Sequence, residues 1–241
     1  MLRTSLSVAA TVLSLSLIAC GDPTADKAAA SVSSAKPVPP PPPAKSGAAA
    51  TSATASAAPT ASAAPTADAA KPAKPDGAFD ISPADSKVEF TGSKVTGKHD
   101  GKFEKFGGWA YIDGDKLDTA RLYLEITVDS VKTDSTMLDA HLKKDDFFDA
   151  PNHPTATFQL TELKKGGEGG ATHTVTGNLK IRGVEKSVSF PAKITISKDG
   201  IKTTADFKIN RKDWNINYAG KANDLINDNV GIRLDINAKK G

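Results

Sequence analysis

The chain has 241 residues, with 31 Lys and Arg against 28 Asp and Glu, a net charge of +3 and a single cysteine. Basic and acidic side chains are interspersed, so no patch forms of the kind that binds nucleic acid. One thiol excludes an internal disulfide framework, and any fold must be held by burial alone.

At the start, Arg3 precedes an apolar run from Leu6 to Ala19, and small residues surround Cys20 in Leu17-Ile18-Ala19-Cys20-Gly21. The run falls short of the roughly 20 apolar residues that a membrane-crossing helix needs. It reads as an export signal over residues 1–19. Leu-Ile-Ala-Cys-Gly also resembles the lipobox of bacterial lipoproteins. That resemblance implies cleavage before Cys20 and its acylation, with chains such as palmitate. One acyl chain binds a membrane marginally, whereas several hold it firmly. The expectation is a lipid-anchored protein of the bacterial cell envelope facing the periplasm, with inner and outer membrane both open. The alternatives are a cleaved signal with a free thiol and an uncleaved anchor.

Residues 20–77 are Ala, Ser, Thr, Pro and Lys, with prolines at 39–43, and every Phe, Trp and Tyr comes later in the chain. Such a composition offers no core and predicts a disordered linker. Random-coil scaling gives it a span of roughly 40 Å, enough to let the domain at 78–241 ride clear of its membrane.

From Phe79 onward the apolar period is two, the signature of strands with one buried face. Strands are predicted over Lys87–Val95 and Phe103–Ile112, joined by a Gly97–Gly101 loop. The clearest alternation is Leu122, Leu124, Ile126 and Val128. Further strands cover Thr155–Leu163, Val175–Ile181, Val188–Ile196, Ala205–Ile209 and Val230–Ile236. Arg182-Gly183 and Asp199-Gly200 fit tight hairpins, with a glycine-rich turn at 166–170. About eight consecutive antiparallel strands result, and these can close into a barrel that removes unpaired edges. Only Ser135 to Lys144 breaks the period: Met137, Leu138, His141 and Leu142 fall at helical spacing, with Asp134 or Ser135 as cap. At least one ring of Phe147-Phe148 should be buried.

The order of motifs resembles the YceI-like family. The matching pieces include Ser86-Lys87-Val88-Glu89-Phe90, Gly101-Lys102-Phe103-Glu104-Lys105-Phe106-Gly107-Gly108 and Asp139-Ala140-His141-Leu142-Lys143-Lys144-Asp145-Asp146-Phe147-Phe148-Asp149. Pro154-Thr155-Ala156-Thr157-Phe158, Thr176-Gly177-Asn178-Leu179-Lys180-Ile181-Arg182-Gly183 and Phe207-Lys208-Ile209-Asn210-Arg211-Lys212-Asp213-Trp214 complete the set. The resemblance implies an all-β, extended lipocalin-like, eight-stranded antiparallel barrel with a short helix between strands. It also implies an apolar channel for a polyisoprenoid, such as a quinone-type tail. The family commonly has Phe-Gly where this chain has Trp214-Asn215, a change expected to narrow or reshape that end of the channel.

Candidate ligand contacts are Phe90, Phe103, Phe106, Trp109, Leu122, Leu124, Ile126, Leu138, Leu142, Phe147, Phe158, Leu179, Ile181, Phe190, Phe207, Ile209 and Trp214. An eight-stranded barrel either packs solid or holds one small ligand, and the apolar pattern alone leaves both open. His141 and Arg211 are candidate head-group contacts at the rim, the latter paired with Asp213. The four histidines lack zinc-like spacing, no catalytic motif is recognisable, and neither metal nor cofactor is expected. The leading function is carriage or sequestration of a long isoprenoid or fatty chain. The alternatives are a packed scaffold that binds another envelope protein, and an enzyme acting on the bound lipid. A homodimer stays open.

Overall fold

The computed structural model describes residues 22–40 and 71–240. The expected export signal, the lipobox-like stretch with Cys20 and the middle of the predicted linker lie outside the described residues. The strands are β1 (Ala28–Ala29), β2 (Ser31–Ser34), β3 (Phe79–Ile81), β4 (Lys87–Lys94), β5 (Gly97–Phe103), β6 (Phe106–Asp113) and β7 (Lys116–Thr127). They continue as β8 (Val131–Thr133), β9 (Thr155–Lys165), β10 (His173–Ile181), β11 (Val184–Ser197), β12 (Gly200–Asn210), β13 (Gly220–Lys221), β14 (Asp224–Leu225) and β15 (Asn229–Lys239). The helix α1 spans Thr136–Leu142, and Ser135 caps it by accepting from the Leu138 N–H.

Eight strands form a closed antiparallel ring in the order β12-β11-β10-β9-β7-β6-β3-β15, with β15 returning to β12 along eleven residue pairs. β4 shares the β3 edge of β15, and β5 and β8 extend from it. Alternation sets the inner wall: Leu122, Leu124 and Ile126 face inward from β7, and Leu124 lies opposite Phe158 of β9. A bulge on β9 shifts the register between Thr176 and Gly177 of β10. With the extra residue, the inward position after Leu160 falls on Leu163 in place of Glu162.

Three expectations change. Gly97–Gly101 is not a loop but part of β5, since its backbone pairs with β4 throughout and Gly101 also meets β8. Gly101 is required there: a Cβ would lie 2.3 Å from the Phe90 ring, which covers it. Phe103–Ile112 is correspondingly two strands, broken at Glu104-Lys105.

The third change concerns residues 22–40, which composition placed in a structureless linker. β11 and β12 pair only at Lys193–Ser197 with Gly200–Thr204 and then separate. β1 and β2 fill the gap as one extended run. Ala28 and Ala29 pair in parallel with Phe207 and Lys208 of β12, and Ser31–Ser34 pair antiparallel with Ser189–Lys186 of β11. Ala30 and Val32 pack against the core between the two strands, while Ser31 and Ser33 face solvent. Backbone groups that would be orphaned in the gap find partners there, and this outweighs the weak strand preference of Ala and Ser.

Candidate ligand-binding lumen

The inward faces of the ring do not fill its middle. They enclose a predominantly apolar cavity of about 270 Å³ that runs from the β11–β12 turn to the loop after β12. One water needs only about 10–15 Å³ of such space, so the bore is hollow on the scale of a sizeable ligand. Small residues keep it open: Ala110, Ala120 and Ala156 line it where larger side chains would project across. Sequence reasoning passed over these three, although their parity with Ile112, Leu122 and Phe158 gives their direction.

Aromatic rings organise the wall. Phe190 and Phe207 stack with centroids 4.1 Å apart at 8°, and Phe158 adds a tilted contact to Phe190 at 5.9 Å. Phe103 bridges Phe90 and Phe148 at 5.7 and 6.0 Å. One end of the bore is capped by Leu142 of α1, Phe147, Trp214 and Ile216, all buried. Trp214 is 0 % exposed, and its Nε1–H donates to the Leu179 carbonyl at 3.0 Å. At the other end Ile194, Ile196 and Ile201 line the rim and are only half-buried, so the bore is less closed there.

Most candidate contacts line the cavity: Phe90, Phe103, Leu122, Leu124, Ile126, Leu142, Phe147, Phe158, Leu179, Ile181, Phe190, Phe207, Ile209 and Trp214. Phe106 and Leu138 pack in the adjoining clusters without reaching the free space. Trp109 is on the opposite face of the wall: it packs outside with Ala78, Tyr123 and Tyr111. Ala110 takes the inward position on β6, and a shift of one residue along a strand reverses the face.

Arg211 lines the capped end but differs from the expected rim ion pair with Asp213. It is buried, and its guanidinium donates to the carbonyls of Asn227, Ile216 and Ile226 at 3.1, 2.6 and 3.3 Å. Its carboxylate partner is Asp228, at 3.3 Å. Burial pushes its pKa down and Asp228 opposes that shift. Its donors are therefore largely committed to holding the 211–228 loop closed.

His141 does not line the cavity. Its Nε2 lies 2.7 Å from an Asp146 carboxylate oxygen, and its ring makes edge contacts with Phe147 and Tyr218, both at 4.9 Å. Among the described residues no three His, Cys, Asp or Glu side chains gather as metal ligands.

Residues 79–238 match the YceI-like domain. The chain belongs to the YceI-like family. A UPF0312 protein of Pseudomonas aeruginosa (strain LESB58) is 35% identical over 94 residues, 39% of this chain and 48% of that protein. One from Pectobacterium carotovorum (strain PC1) is 36% identical over 94 residues, 39% of this chain and 47% of the relative. The chain thus spans about half the length of these relatives.

Among solved structures, Burkholderia cenocepacia BcnA superposes with a TM-score of 0.59 at 25% identity, covering 66% of this chain and 99% of that one. A polyisoprenoid binding domain from Saccharophagus degradans shares the fold, with a TM-score of 0.53 at 16% identity, over 68% of this chain and 98% of that one. The backbone at residue 215 accommodates an asparagine. Asn215 has φ 58°, the left-handed region a glycine enters freely and an asparagine tolerates better than other residues.

Proposed function

We propose that the protein is a lipid-anchored carrier of the bacterial envelope that takes a polyisoprenoid, quinone-like or other long-chain amphiphile into the bore. The observation that carries this reading is the hollow apolar lumen. Each methylene moved from water into such a lining contributes about 0.8 kcal/mol, so affinity grows with chain length until the bore is full. No polar group is needed for that gain. Family membership supports a binding barrel, and the cavity argues against the packed-scaffold alternative. The anchor reading rests on the lipobox around Cys20.

The test is lipid extraction and mass spectrometry of protein purified from Asp22 onward, followed by uptake of a fluorescent isoprenoid. Wild-type protein should carry or take up the chain, and Ala156→Trp, which fills the bore from β9, should lose most of that uptake. Empty wild-type protein that takes up nothing refutes carriage. Equal uptake by Ala156→Trp refutes the lumen as the site.

A further inference from the structure

The segment that follows Cys20 is fixed to the barrel. Asp22 accepts hydrogen bonds from the Thr24 N–H and hydroxyl at 2.9 and 2.8 Å, and from the Asn227 side chain. Thr24 is fully buried, with its methyl group against Gly231, and its carbonyl accepts from Lys208 Nζ at 3.0 Å. Lys27 pairs with Asp206. From Asp22 to Lys27 the chain therefore descends the outer wall of β15 and β12, starting beside Asn227 at the capped end. It then turns and enters the gap between β11 and β12. Cys20 precedes Asp22 by two residues, and an extended chain covers at most about 3.6 Å per residue, so the anchor leaves within roughly 7 Å of that point.

The long Ala/Pro tract adds no reach to this mount. The described residues on either side of 41–70 both meet one strand: the Pro40 carbonyl accepts from Arg121 Nε at 3.0 Å, and Lys71 lies 3.9 Å from Glu125 and over the Tyr123 ring. All three residues belong to β7.

Where the anchor leaves, two large apolar side chains stand exposed among the Lys94–Asp224 and Lys212–Asp228 ion pairs. Among the described residues the exposed large hydrophobic side chains are Val95, Leu225 and Met137, at 68, 51 and 84 %. The Val95 N–H donates to the Leu225 carbonyl at 3.1 Å, and Leu225 is two residues from Asn227. Met137 sits on α1 at the same end, where Asp134 just before the helix bonds His99 of β5. Val95 and Leu225, adjacent and exposed beside the start of the mount, are the apolar pair that this end offers to a lipid surface.

We propose that the capped end of the barrel, at Val95 and Leu225, rests on the lipid surface that holds Cys20, with residues 22–34 as a short mount. The open rim at Ile196 and Ile201 then faces away from that membrane. This inference rests on the anchor reading above. It replaces the expectation of a domain swinging clear on a long tether.

The test uses the full-length acylated chain, in which the Cys20 thiol is blocked, bearing a bimane label at Val95→Cys, Leu225→Cys or, in the β9–β10 turn, Glu168→Cys. Vesicles of phosphatidylethanolamine and phosphatidylglycerol with brominated acyl chains serve as quencher. All three proteins should float with the vesicles, and quenching at positions 95 and 225 should exceed that at 168 several-fold. Flotation with equal quenching at all three positions, or with none, overturns the orientation while leaving the anchor intact. Failure to float overturns the anchor reading and the orientation together. Thr24→Arg, which undocks the mount, should keep flotation and lose the excess quenching at 225. Unchanged quenching there refutes the role of residues 22–34.

Discussion

Replacing Trp214 by Phe tests the bore and its end wall in one experiment. The indole N–H bond to Leu179 is lost, a net cost of about 1 kcal/mol. Removing the second ring vacates the space of one or two methylene groups, about a further 1–2 kcal/mol at roughly 0.8 kcal/mol each. A total of about 2–3 kcal/mol corresponds to a fall in Tm of roughly 5–10 °C for a domain of this size. Because Trp214 lines the cavity, the vacated space joins the bore and lengthens it. Urea melts of the ligand-free protein measure the first effect. Competition uptake across isoprenoids of increasing length measures the second, where the preferred length should move upward. A loss of stability with an unmoved preference would show that Trp214 is not the end stop. Unchanged stability would refute the hydrogen-bond and packing argument itself.

Two further perturbations address the rest of the fold. Burial would raise the Asp139 pKa, but bonds from the Thr133 hydroxyl and N–H, at 2.8 and 2.6 Å, and from Lys132 hold it below the usual carboxylate value. Its contribution is therefore present above the unfolded pKa of about 3.9 and is lost as pH falls through the lower folded value. Asp139→Ala should cost about 2–3 kcal/mol near neutrality by stranding those donors, and should flatten the acid limb of a stability–pH profile; a parallel profile contradicts the reading. Val32→Asp should release residues 22–40, seen as faster hydrogen exchange at Lys186–Ser189, while the ring stays closed through Lys193–Ser197. Unaltered exchange at those amides would mean that β2 does not protect them.

The sequence made the barrel legible where inward residues alternate without interruption, as in Leu122 to Val128 or Val188 to Ile196. It also showed α1, whose cap and spacing are local. It did not show β5, because Gly97 to Lys102 has no apolar alternation and becomes a strand through its pairing with β4, joined by β8 from Gly101 onward. Trp109, a candidate contact by residue type, stands three residues from Phe106 and so on the opposite face of β6. The strand puts Ala110 on the inner face, and a large aromatic on an outer wall is hidden from hydropathy when another segment covers it. The Ala28, Ala30 and Val32 alternation lay inside an Ala/Ser tract. Three small apolar residues are too weak a signal without the gap that receives them. The cavity was beyond reach for another reason: whether inward side chains meet depends on ring circumference, which the alternation does not encode.

The gap between β11 and β12 also bears on how this protein can be handled and how it can misassemble. A recombinant barrel begun at residue 78 keeps the whole family-matching region yet lacks β1 and β2. Lys186–Ser189 and Phe207–Lys208 then present bare main-chain donors and acceptors on facing borders. Such borders template strand exchange between molecules. Oligomers formed by a shortened protein would accordingly reflect the missing N-terminal strand and not a native quaternary state.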